Sequence, residues 1–234
     1  MCVIFWDFDG TLAYARALWL KSVYKALAET DIHTQVKIYD IRKHMSYGFT
    51  WHTPDRDYSD LTHEKWWDFM NQHFYKSYIK CGVPEKTAAK AAGRVRDIIK
   101  RTENYTLYED AVATLVKTRQ LGHKNVILSN NYPDLEEVLI KLGLSEYLDG
   151  VIVSAAEGYD KPRKELFEIA KKRFPAKMYY MVGDSVKADI IGGKNAGLKT
   201  ILVHKGYSEH ADYCFDTLYA IVENIRNFGN RISN

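Results

Sequence analysis

The sequence is poor in cysteine and contains no long apolar run. Its three cysteines, Cys2, Cys81 and Cys214, are an odd number without C-x-x-C spacing, which argues against a disulfide framework and favours a reducing compartment. The first apolar run is interrupted by Asp7 and Asp9 and is too short for a signal peptide or a membrane span. We therefore expect a cytoplasmic protein without a membrane partner.

Charge of one sign is also scarce. The 33 basic and 30 acidic residues are interspersed, and the formal net charge is only +3. A mixed surface of this kind offers no basic patch for a nucleic-acid polymer. Apolar residues make up 46% of the chain, which is enough for a sizeable core. At 234 residues, the chain suits one large domain or two modest ones.

Short apolar runs alternate with helical stretches along much of the chain. The runs are β-branched or aromatic and lie at residues 2–8, 125–129, 178–182 and 200–203, with a weaker one at 151–154. Helical periodicity lies between them, at residues 108–121, 133–142, 164–174 and 187–196. Runs that are apolar on both faces are typical of buried parallel strands joined by crossover helices. The sequence predicts an α/β fold whose core is a Rossmann-like, doubly wound parallel sheet.

A long insertion follows the first predicted strand. It lacks strand alternation and has helical periodicity at residues 13–29, 62–79 and 84–101. An insertion of this length is better explained by a second domain than by a loop. We therefore predict a catalytic core, residues 1–12 and 102–234, with an inserted all-helical cap domain, residues 13–101. Its hinges are expected near residues 13–15 and 101–105.

Two carboxylates follow the first predicted strand. Asp7 and Asp9 belong to the run Asp7-Phe8-Asp9-Gly10-Thr11, and strand alternation would point both to one side of the chain. In parallel sheets, ligands bind outside the carboxyl ends of the strands. A close pair of carboxylates is costly in a core but useful in a reaction, because one can attack while the other moves a proton.

Three other strand ends carry polar residues. Asp184 and Asp189 follow the run at 178–182, Ser129 and Asn130 end the run at 125–129, and Lys161 follows the weaker run. A cluster of carboxylates requires a hard cation, and Mg²⁺ suits phosphate chemistry. The serine and lysine could hold phosphoryl oxygens.

Each motif also has an ordinary structural explanation. Asp, Gly and Thr favour turns and helix caps, so Asp184 or Ser129 could serve only as a cap. Lys161 could be a solvated surface lysine. Four such motifs at successive strand ends, in this order, are better explained by a single active site.

The motifs resemble those of the haloacid dehalogenase (HAD) superfamily. Asp7 to Thr11 resembles its first motif, Ser129-Asn130 its second, Lys161-Pro162 its third and Gly183 to Asp189 its fourth. The long insertion resembles the helical-cap phosphatase branch. The stretch 183–198 is similar to pyrimidine 5′-nucleotidases and N-acylneuraminate-9-phosphatases, and phosphoglycolate phosphatases are a related type.

The resemblance implies a role for each matched residue. Asp7 would be the covalent nucleophile, Asp9 the general acid and base, and Thr11 a residue that positions Asp9. Mg²⁺ would be held by Asp7, Asp184 and the main-chain carbonyl of Asp9, with Asp189 in a supporting role or as a further ligand. Ser129, Asn130 and Lys161 would bind the substrate phosphate.

Asp9 distinguishes between reactions within the superfamily. The dehalogenases lack an aspartate at this position, so its presence favours an oxygen leaving group that must be protonated. The expected substrate is a small phosphorylated metabolite: a nucleoside monophosphate, a sugar phosphate or phosphoglycolate. A phosphomutase and a catalytically silent binding or regulatory module remain alternatives. Trp51, His52 and Arg56 are candidate substrate contacts in the cap, and we expect a monomer or homodimer.

Overall fold

The computed structural model describes residues 2–228, and a parallel six-stranded sheet lies at its centre. Across the sheet, the strands are β5 (Gly150–Val153), β4 (Lys124–Ser129), β1 (Val3–Trp6), β6 (Tyr179–Gly183), β7 (Lys199–Val203) and β8 (Tyr213–Phe215). Every neighbouring pair is parallel. The predicted α/β core is therefore confirmed. The sequence did not predict β8, because this strand is only half-buried and carries no long apolar run.

Strand β1 shows why the strands of this sheet are continuous apolar runs in the sequence. Val3 and Phe5 pack on one face with Leu166 and Phe167, whereas Ile4 and Trp6 pack on the other. All four β1 residues are fully buried, because both faces of the sheet are covered.

The helical insertion lies between two very short strands. Its helices are α1 (Leu18–Thr30), α2 (Ile38–Met45), α3 (Glu64–Lys80) and α4 (Glu85–Ile99). Strand β2 (Ala13–Tyr14) pairs antiparallel with β3 (Thr106–Leu107), so the chain enters and leaves the insertion side by side. This pairing also shortens the helix predicted from residue 13, which begins at Leu18 instead. The helical cap is confirmed, and its limits at residues 13 and 101 stay a prediction.

The remaining helices flank the sheet. They are α5 (Ala111–Gln120), α6 (Leu135–Lys141), α7 (Ser154–Glu157), α8 (Lys164–Arg173), α9 (Gly192–Asn195) and α10 (Tyr219–Phe228). The helix predicted at 187–196 is divided into a π-helical turn, Val186–Ile191, and α9. No helix among residues 2–228 is both long and apolar enough to cross a bilayer.

Asp134, at the start of α6, ties the cap to the core. It accepts hydrogen bonds from the Arg96 guanidinium at 2.7 and 2.9 Å and from Trp67 Nε1 at 3.0 Å. A second contact is made by main-chain bonds, from Tyr58 N to the Gly158 carbonyl and from His63 N to the Ala155 carbonyl, both 3.0 Å. The cap is therefore held to the core at two separate places.

Candidate active site

The sheet register brings the predicted residues to one edge. Trp6 of β1 is level with Ile127 of β4 and with Val182 of β6. Asp7, the next residue, continues this register, because its N–H donates to the Val182 carbonyl at 2.9 Å. The first motif thus lies between the ends of β4 and β6, as expected for neighbouring parallel strands.

A tight turn follows Asp7 and turns the chain toward the cap. Thr11, Leu12 and Ala13 donate their N–H groups to the Phe8 carbonyl at 3.0–3.2 Å. Gly10 has φ +86°, and a Cβ there would lie 2.5 Å from Asp184 Oδ2. Only glycine fits this position, because it tolerates the left-handed backbone and leaves room for the carboxylate.

Asp9 lies beside Asp7, with its carboxylate bound by an amide. Asn131 Nδ2 donates to Asp9 Oδ2 at 2.8 Å. Burial raises the pKa of Asp9 to about 7, helped by the negative charges of Asp7 and Asp184, whereas the Asn131 bond opposes the rise. A carboxyl group that titrates near neutral pH can both give and take a proton.

Lys161 is buried and fully hydrogen-bonded. Its Nζ donates to Asp189 Oδ1 at 2.6 Å, to the Leu128 carbonyl at 2.7 Å and to Asp7 Oδ1 at 3.0 Å. Burial alone would lower the pKa of Lys161, but the charges of Asp189 and Asp7 outweigh it and raise this pKa. The lysine is therefore a permanent cation next to Asp7.

Asn130 fixes the main chain at Lys161. Its side chain accepts the Lys161 N–H at 2.7 Å and donates to the Lys161 carbonyl at 2.9 Å. This two-way clamp uses the side-chain amide of Asn130. The phosphate contact predicted for Asn130 would therefore fall to its main-chain N–H, and it stays a prediction.

Asp189 is fully buried behind the site. One of its oxygens holds Lys161, and the other accepts the Ser185 N–H at 3.0 Å. Burial raises the pKa of Asp189, whereas the contact with Lys161 opposes that rise. A Cβ on Gly183 would collide with the Asp189 carboxylate, so this glycine too is required by a close approach.

Three carboxylates come close enough to share one cation. Oxygens of Asp7, Asp184 and Asp189 lie within 4.8 Å of one another. Burial and the nearby charge of Asp7 raise the pKa of Asp184, which also pairs with Lys205 Nζ at 3.3 Å. Anionic oxygen donors at this spacing suit a hard divalent cation such as Mg²⁺. The residues present therefore fit the predicted metal.

A cavity of about 880 Å³ opens above these residues. The core contributes Asp7, Asp9, Ser129, Lys161 and Asp184 to its walls. The cap contributes a largely apolar wall that includes Trp19, Met45 and Trp51, together with the cation Arg42. The site therefore combines a charged floor with an aromatic roof.

The comparisons with known proteins agree with this arrangement. The sequence profile of the haloacid dehalogenase-like hydrolases matches residues 1–197. The chain belongs to this family.

Known HAD relatives include several phosphatases. A glyceraldehyde 3-phosphate phosphatase from Pyrococcus furiosus is 32% identical over 121 residues, covering 47% of this chain and 50% of the relative. The pyrimidine 5′-nucleotidase YjjG from Escherichia coli is 28% identical over 182 residues, covering 73% of this chain and 80% of the relative. The match to YjjG is longer than most, because the chain spans about half the length of the first curated relatives it matches.

Solved HAD structures share the fold at low sequence identity. YfnB from Bacillus subtilis, solved with bound magnesium, superposes with a TM-score of 0.73 at 21% identity, covering 96% of this chain and 98% of YfnB. A 2-haloacid dehalogenase from Pseudomonas syringae has a TM-score of 0.71 at 17% identity, covering 97% and 99%. Because dehalogenases and phosphatases share this fold, the fold alone does not select the reaction.

The three candidate substrate contacts in this HAD protein's cap have different locations. Trp51 lines the cavity. His52 instead stacks on Tyr47, with ring centroids 5.2 Å apart, and Arg56 lies over the Tyr58 ring at 4.8 Å. Neither is among the described residues that line the cavity. Both residues belong to the stretch 47–59, whose sequence has no periodicity from which the orientation of its side chains could be predicted.

Sequence reasoning missed several residues of this HAD site. Asn131 binds Asp9, and Lys205 reaches Asp184 from the loop after β7. Trp19 and Arg42 line the cavity from α1 and α2. Asn131 was detectable from its place beside the second motif, whereas the other three depend on how the cap and the β7 loop pack.

The Thr11 side chain does not make the contact expected of it. Thr11 is fully buried, and its hydroxyl has no hydrogen-bond partner among the described residues. A direct bond from Thr11 to Asp9 therefore stays a prediction. The contact that the structure gives to Asp9 comes from Asn131 instead.

Proposed function

We propose that this protein is a Mg²⁺-dependent phosphatase that hydrolyses a small phosphorylated metabolite through an aspartyl-phosphate on Asp7. The observation that carries this proposal is the placement of Asp7. Its carboxylate lies 3.0 Å from the buried Lys161 ammonium, close to Asp184, with the titratable Asp9 on the same turn. The groups proposed as nucleophile, proton donor, cation and metal ligand all line one cavity, which supports this assignment.

The first half-reaction transfers the phosphoryl group to the protein. A carboxylate oxygen of Asp7 forms a bond to phosphorus as the bond from phosphorus to the leaving oxygen breaks. Protonated Asp9 gives its proton to that leaving oxygen. Ser129 and Lys161, which both line the cavity, would hold the equatorial oxygens of the transferring group, with Lys161 exchanging its bond to Asp7 Oδ1 for one to a phosphoryl oxygen.

The second half-reaction returns the protein to its starting state. The Asp9 carboxylate, now without its proton, accepts one from water as the water oxygen attacks phosphorus. The bond from phosphorus to Asp7 then breaks, and phosphate leaves. The Asn131 bond keeps Asp9 in one orientation through both steps.

Bound Mg²⁺ would offset the negative charge of the phosphoryl group and of the carboxylates. Asp7, Asp184 and the main-chain carbonyl of Asp9 are the proposed ligands. Asp189 belongs to the acidic cluster, but both its oxygens already accept hydrogen bonds, from Lys161 and Ser185. We therefore assign Asp189 the supporting role of orienting Lys161.

Phosphate release from a panel of phosphorylated metabolites and an aryl phosphate tests this function. Mg²⁺-dependent release is expected from the wild type and from Asp68→Asn, an exposed aspartate on α3. Asp7→Asn should abolish release, and mass spectrometry after acid quench should find a phosphoryl group on the wild-type peptide that contains Asp7. Phosphate returned to sugar would indicate a phosphomutase, and no turnover by folded, Mg²⁺-loaded protein would indicate a silent binding module.

The cap wall also points to the kind of substrate. Arg42 lines the cavity and makes no hydrogen bond or ion pair within residues 2–228, whereas its neighbour Lys43 pairs with Asp40 at 3.3 Å. An unpaired guanidinium at the cavity wall would bind an anionic or carbonyl group of the substrate.

Arg42→Gln should raise KM for phosphoglycolate about tenfold, the value of one charge-assisted hydrogen bond. An aryl phosphate without a second anionic group should be nearly unaffected. Lys43→Gln provides the matched control. Equal KM changes for both substrates would contradict this role for Arg42.

A further inference from the structure

His204 follows β7 and reaches across to the turn after the first motif. Its backbone is left-handed, with φ +62°, a conformation that histidine adopts more readily than bulky or β-branched residues. The ring nitrogen Nε2 lies 3.1 Å from the Thr11 carbonyl, and Nδ1 lies 3.1 Å from the Asp216 carbonyl. A carbonyl oxygen only accepts, and a neutral imidazole has a single ring N–H, so the tautomer that bonds the Thr11 carbonyl carries its proton on Nε2 and does not also donate from Nδ1.

Stacking fixes the plane of this imidazole. It lies parallel to the Tyr108 ring, with centroids 3.9 Å apart and an interplanar angle of 8°. Tyr108 in turn contacts Tyr14 edge-on at 5.2 Å, and its N–H donates to the Leu12 carbonyl at 3.1 Å. Tyr14 lines the cavity. The column of three rings thus runs from the β7 loop to the wall of the active site.

The bonded carbonyl belongs to the turn that carries Asp9. Residues 8–13, the catalytic turn, are held internally by three N–H groups that share the Phe8 carbonyl and by the Gly10 N–H, which donates to the Ala13 carbonyl at 2.7 Å. The Thr11 carbonyl accepts none of these internal bonds, so a donor from outside the turn adds a separate restraint there. His204 supplies this donor from the loop after β7, a contact that the sequence of the first motif does not predict.

We infer that His204 is a positioning residue, whose imidazole fixes the catalytic turn and thereby the carboxylate of Asp9. The structural part of this inference stands by itself. The part that concerns turnover rests on the proposed phosphatase function.

Two substitutions separate the hydrogen bond from the ring stack. His204→Phe keeps a ring against Tyr108 and removes the ring N–H donor. His204→Gln removes the ring and keeps an amide N–H₂ near the position of Nε2. His210→Phe is the matched control, because His210 is exposed in the same loop and only its main-chain N–H makes a hydrogen bond among the described residues.

Hydrogen exchange measures the restraint directly. In His204→Phe, amides in a peptide that covers residues 8–14 should exchange about tenfold faster, as expected when one hydrogen bond is lost. The same peptide should stay near wild type in His204→Gln and His210→Phe. A peptide from β4 should be unchanged in all three. Wild-type exchange at residues 8–14 in His204→Phe, or faster exchange throughout the core, would overturn the inference.

Kinetics test whether the restraint serves turnover. His204→Phe should lower kcat about tenfold with KM changed less than about twofold, because the proton donor is displaced while the cap wall is retained. His204→Gln should recover most of the kcat. Unchanged kcat despite faster exchange would overturn the positioning role. A wild type without phosphatase activity would instead refute the proposed function, and the exchange result would still decide the structural part.

Discussion

Replacing Asp9 with asparagine should separate the two halves of the reaction. The substitution keeps the size of the side chain and removes the group that gives and takes protons. Asp9 has a pKa of about 7, raised by burial and by the neighbouring charges of Asp7 and Asp184. In the wild type, roughly nine tenths of Asp9 is protonated at about pH 6 and roughly one tenth at about pH 8.

The size of the effect depends on the leaving group. General acid catalysis contributes about 10²- to 10⁴-fold when the leaving oxygen is strongly basic. An alkyl phosphate should lose about this much activity in Asp9→Asn. An aryl phosphate, whose leaving group departs without a proton, should lose less than about tenfold in the first step. Hydrolysis of the aspartyl-phosphate needs the Asp9 base with either substrate.

Rapid-mixing kinetics with p-nitrophenyl phosphate give the readout. Asp9→Asn should release about one p-nitrophenol per active site and then stall, because the phosphoryl group stays on Asp7. Asp7→Asn should show no burst, and an alkyl phosphate should give no burst with either variant. Equal losses for aryl and alkyl substrates in the first turnover would refute the assignment of Asp9 as the proton donor.

Three further predictions concern the metal site, the pH dependence of stability and the cap. Lys205→Met should increase Mg²⁺ affinity, measured by calorimetry, roughly two- to fivefold, because it removes a partly exposed cation that pairs with Asp184. Lys199→Met, at a similarly exposed lysine that pairs with Asp212, should leave this affinity unchanged. The pKa of Asp9 is higher in the folded protein than in the unfolded chain, so its contribution to stability should decline as the pH rises toward 7. Thermal melts in EDTA should show this fall in melting temperature with pH, and Asp9→Asn should make it smaller. Arg96→Met should lower the free energy of unfolding by about 1–2 kcal/mol, because it removes the two hydrogen bonds from the cap to Asp134 of the core. An unchanged free energy in a urea titration would contradict this role.

The sequence predicted the sheet because its strands are buried on both faces. Four predicted runs and the weaker fifth correspond to β1, β4, β6, β7 and β5, each within a few residues. The short strands β2, β3 and β8 were missed, since two or three residues carry no readable alternation. Helix α2 was missed as well, because only two of its eight residues, Ile41 and Met45, are buried and its apolar stripe is narrow.

The limits of the cap helices depended on more than periodicity. The first one begins at Leu18 rather than residue 13 because β2 pairs with β3, a contact made across more than ninety positions of the chain. The strand and helix propensities of the local sequence carry no information about a pairing partner so far along the chain. The helix predicted from residue 187 likewise opens as a π-helical turn, which turns Asp189 inward toward Lys161.

The sequence by itself determined which reactive side chains meet at the candidate site. Strand ends are local features, and parallel strands bring their carboxyl ends to one edge, so Asp7, Asp9, Ser129, Lys161 and Asp184 could be placed together before any coordinates were known. The tertiary structure alone decided which groups hold them. Asn131 on Asp9, the cap residues above the cavity and His204 beneath the catalytic turn are contacts between distant segments, and only the packing of the cap and the loops against the sheet brings such segments together.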